Sequence, residues 1–195
     1  MDIEYISKYE NLGLTGLKNL GNTCFMNAGI QCLSNTIELT DFFLSKKFLN
    51  YINKTHEKSD LSIVWYKLLN AMWESNCVVS PNSFHQIIRK HSPELGNYGQ
   101  NDVQEFIIFL IDSLHEIHAK EVKITIDGKI INETDRIAYE SMKVWKKFFK
   151  SSYSKIIELF YGQIVSTFKN TDGKILSRNY DPLCFFNLEI PANMN

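Results

Sequence analysis

Apolar residues recur along this chain at two spacings, and the change from one to the other divides it. From Cys24 to Leu33 a three-to-four spacing runs through Phe25, Ala28, Ile30 and Leu33, which predicts a buried helix beginning at Cys24. Asn35 and Thr36 break it. Leu39 to Leu49 then predicts a short, partly helical piece rich in Phe, and the polar stretch Tyr51 to Asp60, which holds His56, reads as loop. Leu61, Val64, Trp65, Leu68, Leu69 and Met72 predict an amphipathic helix over Asp60 to Glu74. Ser80-Pro81, a cap followed by proline at the first helical position, predicts another helix to about His91, with Pro93 and Gly96 in a loop that reaches Gly99.

Asp102 with Glu105 three residues on is a capping signature. Behind it, Phe106, Ile107, Leu110, Ile111 and Leu114 define one face and Ile108 and Phe109 much of another, so this helix is expected to be buried on most sides and to pack against the Cys24 helix. Glu121 to Asp135 alternates weakly around Asp127-Gly128, as either a short hairpin or an irregular insertion. A helix over Asp135 to Lys150 is marked by Ile137, Trp145, Phe148 and Phe149, and Ser151-Ser152 interrupts it. From about Phe160 the pattern turns to strands: Val165, Phe168 and Ile175 flank a turn at Asn170 to Gly173, and Cys184 to Ile190 reads as a further strand. Helices first and strands last predict an α+β fold.

Composition narrows the partners. With 195 residues, 44% apolar and 13% aromatic, the chain can bury one core of full size, which excludes a disordered segment. The formal charge of -1 gives no reason to expect nucleic acid or an anionic membrane, and the cluster Lys146, Lys147 and Lys150 reads as the wet face of a helix. No apolar run approaches the roughly 20 residues of a membrane span, and the acidic, mixed N-terminus is unlike a secretion signal. Cys24, Cys32, Cys77 and Cys184 form no C-x-x-C, which argues against a zinc knuckle or a disulfide framework and fits the cytoplasm or nucleus. Cys32 reads as core.

Cys24 stands apart from the other three. The turn formers Gly16, Asn19, Gly21, Asn22 and Thr23 lead straight into it. At a helix start, unpaired N–H groups and the positive end of the dipole favour a thiolate, and the same N–H groups can meet a carbonyl oxygen that gathers charge under its attack. The amide of Asn19 is a second candidate donor to that oxygen.

The run G-L-x-N-L-G-N-T-C-F-x-N, Gly16 to Asn27, resembles the cysteine box of the ubiquitin-specific proteases, a papain-like family of deubiquitinating enzymes, and Gln31 matches the tail of that motif. The resemblance implies that Cys24 is the nucleophile and Asn19 the oxyanion residue. Gln100, Asp102, Gln104, Glu105 and Phe106 resemble the family's Q-x-D-A-x-E-F segment, with Val103 in place of alanine. That match implies that Asp102 and Glu105, with Gln100, hold the basic C-terminal tail of ubiquitin, whereas the residues by themselves read as a helix cap and a local pair. The tryptophan helix, I-x-x-L-F-x-G and F-x-N-L-x-I-P carry the resemblance to Pro191. It implies a papain-like fold, incomplete here: a lead-in over 1–14, a mainly helical thumb over 15–159, and the first strands of fingers and palm over 160–195.

Two departures bear on chemistry. Where many family members carry a zinc-binding C-x-x-C, this chain has Lys169 and Asp172, so neither zinc nor any other cofactor is expected. The family's general-base histidine and its orienting Asp or Asn follow the F-x-N-L-x-I-P strand, beyond the last residues of this sequence. None of His56, His85, His91, His115 and His118 lies in a segment resembling the histidine box, and the i, i+3 pair His115 and His118 has no third ligand in view. The resemblance thus implies a thiol-dependent deubiquitinase that cleaves the isopeptide bond after ubiquitin's terminal glycine, with its histidine outside this chain; the alternative is a catalytically inactive ubiquitin-binding protein. The expected partners are ubiquitin or a ubiquitinated protein, and a second chain or self-association that covers the missing half.

Overall fold

The computed structural model describes residues 9–189. The chain divides into two units, Met1–Ala119 and Lys120–Asn195. Most of the lead-in and the end of the F-x-N-L-x-I-P segment, Ile190 and Pro191, lie outside the described residues.

The first unit is helical. Strand β1 (Gly16–Leu17) precedes α1 (Cys24–Ser34), α2 (Ile37–Leu44), a 3-10 turn (Lys47–Asn50) and α3 (Ser59–Glu74); β2 (Val78–Val79), α4 (Asn82–His91) and α5 (Val103–His118) complete it. β1 and β2 pair in parallel, Gly16 with Val78 and Leu17 with Val79. α5 packs on α1 and α3, as its apolar face requires: Phe25 of α1 meets Phe106 of α5 edge-on at 5.9 Å between ring centroids, and Trp65 of α3 lies against Phe84 of α4 at 5.6 Å.

The crossing of α1 and α5 is set by Gly29. A Cβ there would lie 2.6 Å from Phe106 Cδ1 and 2.8 Å from its Cε1, so the ring rests directly on the α1 backbone. The buried face of α1 is Phe25, Met26, Gly29, Ile30 and Leu33. Ala28, expected inside, is exposed, and so is Cys32, expected in the core. The reason is rotation: Cys24, Ala28 and Cys32 follow one another at four-residue steps along the side of α1 opposite Phe106, so a loose three-to-four spacing assigned two residues to the wrong side.

α5 is not buried on most sides, because Ile107, Ile108 and Phe109 are half-buried and only the face of Phe106, Leu110, Ile111, Leu114 and Ile117 is sealed. α4 begins at Asn82 with Pro81 at its N-cap, one residue later than expected, and the Ser80 hydroxyl accepts from Asn82 Nδ2 instead of capping. His91 Nε2 and Lys90 Nζ each lie 2.6 Å from an Asp60 oxygen, clasping the end of α4 to the start of α3.

His118 belongs to the core. Its Nδ1 faces the Leu114 carbonyl at 2.7 Å and must donate to it, which leaves Nε2 to accept from the Ser62 hydroxyl at 3.0 Å. Phe42, Phe43 and Phe48 surround the ring. Burial holds its pKa down to about 4, so the folded protein keeps it neutral.

The second unit opens with an irregular stretch over 121–131, the insertion rather than the hairpin of the two expectations. Helix α6 (Glu133–Phe149) starts two residues before its expected position, because Asn132 and Asp135 form a reciprocal capping box. Of Ile137, Trp145, Phe148 and Phe149, only Phe149 is buried. A short helix not anticipated, α7 (Lys155–Phe160), is capped by Ser154. Strands β3 (Gly162–Lys169) and β4 (Ile175–Leu183) form an antiparallel hairpin around the expected turn, with Gly173 at φ +80°. The hairpin is tied to α6 by Tyr180 donating to Glu140 at 2.7 Å and by Arg178 against Glu133 at 2.5 Å. Residues 184–189, expected to form a strand, are irregular; among the described residues no strand pairs with them, and an extended segment becomes a ladder only when its backbone groups find one. No helix among the described residues is long and apolar enough to cross a membrane.

Two stability measurements test this core. Gly29→Ala should lower the stability measured by urea denaturation by about 1–3 kcal/mol, since neither the ring nor the helix can yield the space; an unchanged midpoint would show that the crossing is not tight. Because His118 is neutral in the folded state and titrates normally when unfolded, stability should fall as pH drops from about 6.5 towards 4, by up to about 3 kcal/mol from this group. Burial shifts His85 and His115 in the same direction. Replacing His118 by Leu should flatten that part of the profile, and a variant as acid-sensitive as the parent would refute the assignment.

Candidate active site

Cys24 is the first residue of α1 and is exposed. The turn before it depends on two left-handed residues, Gly21 at φ +106° and Asn22 at φ +51°, and glycine is the side chain that tolerates the first of them. Inside the turn, Asn19 Oδ1 accepts from Gly21 N at 3.0 Å, Thr23 N at 3.2 Å and Thr23 Oγ1 at 3.1 Å. The Thr23 hydroxyl also accepts from Leu20 N at 2.9 Å. One carbonyl oxygen therefore gathers the turn, which fixes the Asn19 amide plane and leaves its Nδ2 donor uncommitted.

Thr23 occupies the N-cap of α1 but its side chain caps nothing, and the first turn holds no acid. The leading N–H groups of the helix thus have no side-chain acceptor. Beside an exposed thiol, these groups and Asn19 Nδ2 make a set of donors suited to a developing oxyanion.

The strand that feeds the turn is held on two sides. Gln31 Nε2 donates to the Thr15 carbonyl at 2.8 Å, and Asn27 Nδ2, one helical turn earlier, donates to Lys18 O at 3.2 Å and Leu17 O at 3.4 Å. On the other side Gly16 N donates to Cys77 O and Lys18 N to Val79 O, both at 2.9 Å. α1 thereby grips the chain that delivers its own first residue.

Two contacts bring the start of α5 to the same end of α1. Phe25, next to Cys24, meets Phe106, one turn after Asp102, and Asn22 Nδ2 donates to the Tyr98 carbonyl at 2.8 Å in the loop before α5. Asp102 is the N-cap of α5: its Oδ1 accepts from Gln104 N at 2.6 Å and Glu105 N at 3.4 Å. Gln100, Asp102 and Glu105 are all exposed, and no ion pair among the described residues engages either acid.

The histidines are placed elsewhere. His85 is buried with Nε2 lacking a partner and stacks on Tyr98 at 5.1 Å, and burial, with Arg89 beside it, lowers its pKa. His91 binds Asp60, His118 is sealed in the core, and His56 Nδ1 accepts from Lys58 N. No hydrogen bond joins any of the five to Cys24 among the described residues. At the hairpin tip, Asp172 Oδ2 accepts from Asn170 Nδ2.

Cys24, Asn19, Gln100, Asp102, Glu105 and the turn former Asn22 stand out in the sequence, whereas Asn27 and Tyr98, which help assemble the cysteine turn, do not. The signal for Asn27 was available, since Asn27 and Gln31 are four apart and so face the same way on α1.

Known proteins share this arrangement of elements. A family model for ubiquitin carboxyl-terminal hydrolase matches residues 15–174. The chain is 35% identical over 188 residues to human ubiquitin carboxyl-terminal hydrolase 15, covering 93% of this chain and 19% of that protein. It is 37% identical over 187 residues to bovine ubiquitin carboxyl-terminal hydrolase 2, covering 92% of this chain and 30% of that protein. Among solved structures, the SAGA Ubp8/Sgf11/Sus1/Sgf73 DUB module bound to ubiquitin aldehyde aligns with a TM-score of 0.61 at 19% identity, over 90% of this chain and 35% of that one. A variant of the same module bound to monoubiquitin aligns with a TM-score of 0.59 at 18% identity, over 88% and 34%. The shared architecture is the papain-like α+β fold, matched over part of its length.

Whether Asp102 acts as a cap can be measured directly. Asp102→Ala should cost about 1 kcal/mol in urea denaturation, and Asp102→Asn, which keeps the acceptor, should cost only a few tenths; equal losses in both variants would mean that the carboxylate's charge matters to the fold.

Proposed function

The chain belongs to the ubiquitin carboxyl-terminal hydrolase family, and on that premise we propose that it is the nucleophile-bearing part of a thiol-dependent deubiquitinase, with 15–159 as its thumb and 160–195 as the start of its fingers and palm. The observation that carries this reading is an exposed Cys24 at an uncapped helix start, beside an Asn19 whose amide donor is free.

In this mechanism the Cys24 thiolate attacks the carbonyl carbon of the isopeptide bond after ubiquitin's terminal glycine. A C–S bond forms, and the oxyanion takes hydrogen bonds from Asn19 Nδ2 and the first N–H groups of α1. The C–N bond then breaks, the lysine amine leaves with a proton, and water hydrolyses the thioester. Asp102 and Glu105, with Gln100, hold the basic tail of ubiquitin at the head of α5, and Asp102 can do so through Oδ2 because only Oδ1 is spent on the cap. The proton for the leaving amine comes from a histidine outside these residues, since none within them is bonded to Cys24. The site of action is the cytoplasm or nucleus, where thiols stay reduced.

That lack of a bonded histidine also favours a second reading, an inactive ubiquitin-binding protein that keeps the tail-holding acids. One set of measurements separates them. The purified chain is incubated with ubiquitin bearing a thiol-reactive C-terminal electrophile and with a fluorogenic ubiquitin amide, beside Cys24→Ala, Asn19→Ala and Glu105→Lys variants. For the nucleophile-bearing part of an enzyme, the adduct should form with the parent chain, vanish in Cys24→Ala and form at least about tenfold more slowly in Glu105→Lys; amide turnover, which also needs the outside histidine, should fall about 10²–10³-fold in Asn19→Ala wherever it is seen. Ubiquitin binding without a Cys24-dependent adduct selects the second reading, and neither adduct nor binding sinks both.

A further inference from the structure

The second unit carries a charge pattern that the cysteine chemistry does not use. Lys143, Lys146, Lys147 and Lys150 recur at steps of three and four, so they share one stripe along α6 and its C-cap. The irregular stretch over 121–127 runs beside that stripe, tied to its end by Val122 N donating to the Lys150 carbonyl at 2.8 Å, and it adds Lys123. Two concavities of about 480 and 490 Å³ open between stretch and helix, and they share Lys146 and Lys150 in their walls. Glu121 is the one carboxylate lining them. Among the described residues, no ion pair engages any of the five lysines.

A helix dipole attracts lysines to its last turn, which accounts for Lys146 and Lys147. It does not account for Lys143, a turn earlier, or for Lys123, which is on no helix. Like charges at these steps repel one another, so the stripe is a cost to the free protein that an anionic partner would remove.

The stretch itself is prepared for pairing. Val122, Ile124 and Ile126 are half-buried while Glu121, Lys123, Thr125 and Asp127 are exposed, which is the alternation of a strand. Yet the backbone N–H and C=O groups of residues 123–130 have no partner among the described residues. The stretch has the alternation of a strand and unpaired backbone groups, beside a row of cations.

We propose that this groove docks an extended, acidic segment of a partner polypeptide, which adds a strand along 123–127 and sets its carboxylates against the lysine stripe. Both halves of the site argue for polypeptide over nucleic acid. A phosphate backbone would use the lysines but not the unpaired peptide groups, and the aromatic ring in the groove, Tyr139, is covered by the Lys143 ammonium at 5.4 Å and so is not free to stack on a base.

The test uses the full chain and a fluorescein-labelled ten-residue peptide of alternating Glu and Val, followed by fluorescence anisotropy in about 50 mM salt, where surface charges are weakly screened. Saturable binding is expected, weakened at least about tenfold by Lys146→Glu with Lys150→Glu. A peptide methylated on alternate backbone nitrogens should lose about as much, because it cannot extend a ladder. Circular dichroism and a second pair, Lys146→Gln with Lys150→Gln, establish that any loss is not unfolding. No saturable binding, unaltered binding in the lysine variants, equal binding of the methylated peptide, or tighter binding of an oligothymidylate of equal charge would each overturn the proposal.

Discussion

The first unit depends on the absence of one side chain. Because position 29 is glycine, the Phe106 ring lies on the backbone of α1, and the helix that begins with Cys24 comes within van der Waals reach of the helix that begins behind Asp102. Glycine inside a helix costs backbone entropy, by roughly 0.5–1 kcal/mol relative to alanine, and the close crossing is what that cost obtains. The Phe25–Phe106 contact and the Asn22–Tyr98 hydrogen bond bring the starts of the two helices to one end of the pair.

Around that crossing the cysteine turn is held by neutral amides. Asn19 gathers the turn through one oxygen, Asn22 reaches the loop before α5, and Asn27 and Gln31 hold the incoming strand against α1. Amides suit this work because they orient backbone through both donors and acceptors without adding a charge to the turn. The acid at the head of the facing helix, Asp102, caps that helix.

The histidines illustrate how burial assigns roles. His118, with both ring nitrogens occupied in an aromatic shell, is a core residue whose neutrality the fold enforces. His91 fastens two helices through Asp60. Had either stood free beside an exposed thiol, the chemistry available to this chain alone would be different.

Much of this was legible in the residues themselves. The start of α1 at Cys24, the cap at Asp102 and the turn before β4 follow from patterns within four or five positions, where backbone hydrogen bonding and side-chain direction are local, whereas the two-residue strands β1 and β2, which pair across 62 positions ahead of and among the helices, left no such pattern. What lies on which side of a helix was less secure: Ala28 and Cys32 satisfied the spacing of a buried stripe yet face away from Phe106, and Ile108 and Phe109 are as apolar as their buried neighbours but only half covered. Burial is decided by what arrives from elsewhere in the chain, and so are the partners of Asn22 and Gln31, which lie 76 and 16 residues away from them. By itself the sequence determined most of the helices, the place of Cys24 at a helix start and the family resemblance; only the tertiary structure decided which faces close, which amides hold the turn, and that a lysine stripe stands beside a stretch with unpaired backbone groups, because long-range contacts depend on shapes that no local window contains.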